Sequence, residues 1–306
     1  MLSTVCEVWA LLHNTLGLEN DEIGKIFEKW IADGELKNTY LLQIGSEICQ
    51  RKKTPEGDQK GEGKGDHGYV LDDILDKVVQ DDDNTEGTPY WTVMELANRH
   101  IAGPTIADGH FFRVASGNRD QRLRVAEKLK VPAPQKAKVD NQEEFIETLR
   151  QAVYTSFLLS FCQGLELIAR ASKDEDWNVN LGTCIKIWRA GCIIQEDYIA
   201  DMLQPILEKA DQPIMNIKLI DEVAADLHKG YQPLKKIVSK MIEWDAYAPS
   251  LAASLEYMKY EVRHEVLCLF TIGVTHCIPR AAQCLPRSSW KRRWISSVRT
   301  PTIELA

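Results

Sequence analysis

Apolar residues recur at three- and four-residue intervals along most of the chain. Leu2, Val5, Trp9, Leu12 and Leu16 form one stripe, Ile23, Ile26, Phe27 and Trp30 a second, and Leu41, Ile44 and Ile48 a third. This spacing puts side chains on one face of an α-helix. Gly17 and Gly34 follow the first two stripes, where a helix end favours a residue free to adopt positive φ. Val70, Ile74 and Val78 make a further stripe that runs into Asp81, Asp82 and Asp83, which suit a solvated connection. Between Gln142 and Arg170 the pattern changes from one-sided (Phe145, Leu149, Val153) to nearly all-round (Tyr154, Phe157, Leu158, Leu159, Phe161, Leu165, Ile168). That change predicts a helix that leaves the surface and becomes the centre of the core. No segment alternates with the period of two that a half-buried strand requires. The pattern predicts an all-α protein with helix pairs packed around one central apolar helix.

Two segments interrupt this pattern. Lys52 to Gly68, KKTPEGDQKGEGKGDHG, holds five glycines among many charges and predicts a flexible loop, 52–68. From Val262 onward there are seven Lys or Arg against two acids, a local +5 in a chain whose total is −8. The shift predicts a helical domain over 1–260 and a divergent, poorly ordered basic tail over 261–306. With 306 residues, 44% of them hydrophobic, the chain can bury a substantial core. Its acidic balance argues against wrapping nucleic acid but leaves room for a local basic pocket that binds a small anion. The uncharged run Gln151–Leu165 is shorter than the ~20 apolar residues a bilayer span needs, so it predicts a buried helix and no membrane association. Glu7 and the lack of any Lys or Arg before Lys25 do not fit a secretory signal, and the expectation is a cytoplasmic protein. The eight cysteines are scattered, as buried thiols in a reducing compartment would be.

Familiar chemical motifs fail on their context. Gly63, Gly65 and Gly68 spell GxGxxG, but a dinucleotide site needs a buried strand immediately before it, and the preceding residues are polar and include Pro55. A phosphate-loop reading around Lys64 fails because Asp58 and Gly65 stand where Gly and Ser or Thr belong. His264, Cys268, His276, Cys277 and Cys284 lie close together without a CxxC pair, so no metal site is assigned. WKRRW, 290–294, mixes aromatics with cations, but one short copy reads as a solvated basic tail.

Four stretches, EGTPYW (86–91), FFRVASGNR (111–119), FIETLRQAVYTSFLLSFCQGLELI (145–168) and WNVNLGTCIKIWRAGCII (177–194), together resemble the helical domain of decarboxylating 6-phosphogluconate dehydrogenases. The resemblance runs continuously from about Met1 to about Tyr260 and looks like the fungal variant of that family. It implies an all-helical bundle that is normally a homodimer with helix exchange at its interface. The implied activity is NADP taking a hydride from C3 of 6-phosphogluconate, after which the keto acid loses carbon dioxide to give ribulose 5-phosphate. By the same resemblance Arg113 matches the family's phosphate-binding arginine, whose planar guanidinium can give two parallel hydrogen bonds. Thr88 matches a phosphate-contacting threonine, although Glu86, Pro89 and Tyr90 depart from the family's Lys, Gly and Lys. A carboxylate beside a phosphate is repulsive, so a structural turn at Thr88 stands equally open. Arg189, in WRAGCII, is read as a helix-packing and ion-pairing residue.

The family's acid–base pair is a Lys and a Glu in a K-x-x-H-N-x-x-E-Y stretch, and this sequence begins a few residues beyond that point. His13-Asn14 does not replace it, because Ala10 and Gly17 stand where the Lys and Glu should be. No counterpart of the family's tail segment ending near F-G-A-H follows Tyr260. The expectation is therefore no catalytic, cofactor-binding or metal-ligating residue in this chain, with NADP and 6-phosphogluconate entering only through the resemblance. The chain alone is expected to be inactive. It would pair with a second copy or with a full-length paralogue, and the alternative function is a non-catalytic dimerisation or interaction module.

Overall fold

The structure is a computed structural model that describes residues 1–53, 68–76, 89–210 and 212–262. The chain divides into two compact units, Met1–Met258 and Lys259–Ala306. The first unit is all-helical among the described residues, as the apolar spacing predicts. The α-helices of the described residues are α1 (Leu2–Ala10), α2 (Asn20–Ala32), α3 (Tyr40–Gln50), α4 (Pro89–Asn98), α5 (Pro104–Ser116), α6 (Arg119–Leu129), α7 (Gln142–Asp174), α8 (Leu181–Arg189), α9 (Asp197–Lys209), α10 (Asp221–Glu243) and α11 (Pro249–Glu261).

Helix α7 is the axis of the core. Phe145, Leu149 and Val153 are buried on one side of its first turns, and Tyr154, Phe157, Leu158, Leu159, Phe161 and Leu165 are then buried all round. Its length and apolarity would suit a membrane span, but most of that stretch is enclosed by the protein itself, which marks a core helix. Helix α10 lies along it, and at Gly230 the two approach so closely that a Cβ would meet Thr155. Helices α2 and α3 pair through Ile23, Phe27, Trp30, Leu41 and Leu42, all buried. The ends of two predicted stripes, Leu2 and Ile48, are exposed because they fall in the first turn of α1 and the last turn of α3.

Gly17 and Gly34 take φ of +74° and +80°, the left-handed conformation expected where these helices stop. Helix α1 does not end at Ala10 but widens into a π-helical turn, Leu11–Thr15. His13 belongs to that turn: its Nδ1–H donates to the Leu18 carbonyl at 3.0 Å and its ring stacks on Trp9 at 5.1 Å. The base of the Lys52–Gly68 loop is closed by an antiparallel bridge between Lys52 and Tyr69, with Lys52 Nζ 3.6 Å from the centre of the Tyr69 ring. The flexibility expected for 52–68 falls largely on residues outside the described set, as do the character of the tail from residue 263, Val78 and Asp81 to Asp83.

Glu196 caps α9 through the backbone N–H groups of Tyr198 and Ile199 while almost fully buried. Burial pushes its carboxyl up to about 8 against the pull of those hydrogen bonds from Ile199 and Tyr198, and the nearby Asp197 and Asp201 add to the rise. A carboxyl whose folded-state pKa exceeds its unfolded value binds more protons when folded across that interval. Its stabilising effect is full below the unfolded pKa and is lost as pH rises through about 8. The melting temperature is expected to fall between pH 5 and pH 8, and Glu196→Gln, which keeps one acceptor oxygen, should flatten that slope. Parallel pH profiles for the two proteins would show the substitution to be irrelevant.

Candidate functional site

The residues matched to a phosphate site lie on α4 and α5. Helix α4 is held by Arg99 just beyond its end, whose guanidinium pairs with Glu95 at 2.8 Å, Asp174 at 3.1 Å and Glu175 at 2.9 Å and so ties α4 to the end of α7. The turn from α4 into α5 is tight, since a Cβ on Gly103 would meet Leu96. Pro104 opens α5 in the first turn, where its missing N–H leaves no bond unmade.

The first half of α5 is locked by a buried chain of hydroxyls that the sequence pattern does not reveal. Thr4 and Ser156 lie 3.2 Å apart, Ser156 and Ser254 3.0 Å, and Thr105 and Ser254 3.1 Å, while Gln163 Nε2 donates to Thr105 Oγ1 at 3.0 Å. This chain crosses α1, α7, α11 and α5 in turn. Beside it, Glu7 of α1 accepts the backbone N–H groups of Ser250 and Leu251 at 2.8 and 3.1 Å, capping α11. Burial pushes the Glu7 carboxyl up, while the bonds from Leu251 and Ser250 pull it back.

The second half of α5 is different. Every residue from Phe111 to Ser116 is exposed, including Arg113 in the last turn, where the negative end of the helix dipole favours a cation. Ser116 Oγ donates to the Arg113 carbonyl at 2.6 Å. One turn earlier, His110 Nδ1 is buried with no hydrogen-bond partner among the described residues, a feature that only the coordinates disclose. Asn118, two residues beyond the end of α5, takes φ +46° and its Oδ1 accepts the Gln121 N–H at 3.1 Å, capping the start of α6. A furrow along α6 is lined by Asn118, Gln121, Arg124, Val125, Lys128 and Leu129, all from one helix face and its cap. Thr88 immediately precedes α4 in sequence but lies outside the described residues. The structure therefore places Arg113 on an exposed helix end and sets no distance between the two.

Arg189 joins α8 to α9, with Nη1 2.8 Å from Asp201 and 3.3 Å from Gln204 Oε1. Among the described residues no group of three or more His, Cys, Asp or Glu side chains is arranged to hold a metal. The described residues show no glycine turn between a strand and a helix, and Gly63 and Gly65 lie outside them.

These features define a class: an all-helical domain wound about a single long core helix, with an arginine-bearing helix end exposed at its edge. The C-terminal-domain model of 6-phosphogluconate dehydrogenase matches residues 1–269, and the chain belongs to that family. The decarboxylating 6-phosphogluconate dehydrogenase of Emericella nidulans is 56% identical over 262 residues, covering 85% of this chain and 53% of its own length. The Lactococcus lactis (strain IL1403) enzyme of the same name is 32% identical over 257 residues, covering 84% of this chain and 50% of its own. The chain thus spans about half the length of the curated relatives it matches. The solved 6-phosphogluconate dehydrogenase of Plasmodium falciparum, studied in apo form and with NADP+ or 6-phosphogluconate, superposes with a TM-score of 0.73 at 24% identity, over 89% of this chain and 54% of that one. At that identity the superposition bears on the fold.

Proposed function

We propose that this chain is the substrate-side helical portion of a cytoplasmic, NADP-linked decarboxylating 6-phosphogluconate dehydrogenase, serving the oxidation of 6-phosphogluconate to ribulose 5-phosphate and carbon dioxide in the pentose phosphate route. The observation that supports this reading best is the family match over residues 1–269, a span that contains Arg113. In this reading domain 1–260 forms the working unit and residues 261–306 are an appended tail. Arg113 grips the substrate phosphate with a charge-assisted pair of hydrogen bonds, and Thr88 adds a hydroxyl contact. The sequence lacks the family's Lys–Glu proton-transfer stretch and the described residues form no nucleotide cradle, so no oxidation step is assigned to them, and in this reading the chain by itself does not turn over. A second reading, a non-catalytic module that pairs with another subunit, is favoured by the exposed half of α5.

The test is titration calorimetry of the 306-residue chain with 6-phosphogluconate. Binding is expected, with inorganic phosphate competing, and Arg113→Ala should weaken it by about 10- to 100-fold, the range for one charge-assisted bond. Absence of binding, or an Arg113→Ala protein that binds equally well, contradicts the assignment of the phosphate site. NADPH formation from 6-phosphogluconate and NADP at about 1 per second or faster, an ordinary enzyme rate, would overturn the inactivity.

A further inference from the structure

We propose that Gln163, buried within α7, is a positioning residue for the phosphate site: it fixes the start of α5 and, through that helix, the place of Arg113. The inference rests on the reading of Arg113 as the phosphate ligand and adds the residue that aims it. Helix α5 needs such a hold. Of its thirteen residues Thr105 alone is buried, and Phe111 to Ser116 are exposed. Its N-cap is Gly103, which has no side chain to accept the N–H groups that the first turn leaves unpaired.

Gln163 supplies what Gly103 lacks. Its side chain is fully buried, and its Oε1 accepts the Ile106 N–H at 3.4 Å, the third-residue amide that a capping side chain ordinarily takes. Its Nε2 donates to Thr105 Oγ1 at 3.0 Å. The backbone N–H can only donate, so it settles which way the amide faces. A hydroxyl has one proton to give, and this sets the direction of the rest of the chain. Ser254 gives its own to the Ser250 carbonyl at 2.7 Å, so Thr105 and Ser156 both donate to Ser254, at 3.1 and 3.0 Å, and Thr4 donates to Ser156 at 3.2 Å. Thr105 therefore meets Gln163 as an acceptor while Ile106 meets it as a donor. Position 163 requires a donor and an acceptor side by side, which an amide has and an apolar or ionised side chain lacks.

The helix turns this hold into a lever. Arg113 stands eight residues beyond Thr105, about 12 Å along the axis at the usual rise per residue. A tilt of about 10° at the start of α5 would carry it about 2 Å, and a misplacement of about 1 Å is already enough to spoil a positioned contact. Gln163 thus governs phosphate binding without touching the phosphate.

Titration calorimetry of the full chain with 6-phosphogluconate tests this, at a temperature where circular dichroism shows each variant folded. Gln163→Met, close in volume but without either bond, should weaken binding at least about tenfold. On an Arg113→Ala background the same change should cost less than about twofold, because its effect runs through Arg113. A purely structural role would weaken both proteins alike. If Gln163→Met does not fold, Thr105→Val removes the same contact from the α5 side and carries the same test. A folded variant that binds as tightly as the original chain, or equal losses on the two backgrounds, overturns the proposal. Amide hydrogen exchange without ligand separates it from the functional reading. Gln163→Met should speed exchange in α5 at least about tenfold and leave α8 and α9 unchanged. Unchanged exchange in α5 overturns the tether whatever the ligand does. If that contrast holds and the original chain binds no 6-phosphogluconate, the reading of Arg113 falls, and Gln163's part in binding falls with it.

Discussion

Gly182→Ala is expected to destabilise the protein by about 2–3 kcal/mol, lowering the melting temperature by about 5–10 °C for a domain of this size. Gly182 is the second residue of α8, and a Cβ there would lie 2.6 Å from the Glu208 amide nitrogen and 2.9 Å from the Gln204 carbonyl oxygen. Both atoms are backbone of α9, so no rotamer change relieves the contact and the two helices must separate. That separation loosens Leu181 and Ile185 against α9, whose Leu203 and Leu207 are buried, and strains the Arg189–Asp201 pair. The ~1 kcal/mol that alanine gains over glycine in helix propensity does not compensate. Gly24→Ala is the informative comparison. Its Cβ would come equally close, 2.5 Å, but to Gln50 Cγ on a flexible side chain. Gln50 can swing away, giving up its bonds to Glu28 at 2.7 Å and Ser46 at 2.9 Å, and the propensity gain offsets much of that loss. Thermal unfolding followed by circular dichroism should show a large shift for the first variant and a shift within about 1 kcal/mol for the second. Equal midpoints would mean that the α8–α9 approach is looser than the coordinates place it.

The contrast between these glycines shows which features a sequence carries. Helix α7 is legible because an apolar run with no polar face has only one stable location, the inside of a helical layer. The central position follows from Phe157, Leu158, Leu159 and Phe161 alone. The exposed stretch formed by the second half of α5 and by α6 is not legible in the same way. Leu123, Val125 and Leu129 are interleaved with Arg122, Arg124 and Lys128, so their spacing resembles an ordinary surface helix, and FFRVASGNR draws notice only as a family motif. Its exposure is a property of what fails to pack against it, which periodicity does not encode. The hydroxyl chain through Thr4, Ser156, Ser254 and Thr105 is hidden for a related reason. Each member is a small polar residue in an apolar run, tolerable anywhere, and only the crossing of four helices brings them within 3.2 Å of one another. Arg113 is the opposite case, identified by motif while its helix and exposure supply the chemistry.

Glu166→Leu should unfold the protein more readily than any surface change, by about 3–5 kcal/mol, the loss typical when one partner of a buried ion pair is removed. Lys218 Nζ lies 2.6 Å from Glu166 Oε1 and 2.8 Å from the Tyr257 hydroxyl, with the two ionic side chains only 13% and 8% exposed. Burial works against the lysine's charge, yet its bonds to Glu166 and Tyr257 prevail and hold it above the ordinary lysine range. Glu166 Oε1 also accepts the Ile217 N–H at 3.0 Å, so one carboxylate fixes the short helical turn Ile217–Leu219 to α7 and, through Tyr257, to α11. Leucine in its place leaves an ammonium group without this counter-ion and a buried N–H without its acceptor, two penalties that add. Lys218→Met leaves the carboxylate with the Ile217 N–H and the Tyr257 hydroxyl as partners, so its loss should be smaller. The double variant Glu166→Leu, Lys218→Met removes both charges and should recover most of the stability lost in the first single variant, since an apolar pair of similar volume can replace a buried ion pair at little net cost. Urea midpoints for the four proteins give the coupling directly. Strict additivity would show that the two side chains act independently, and that the turn before α10 is held by something other than this pair.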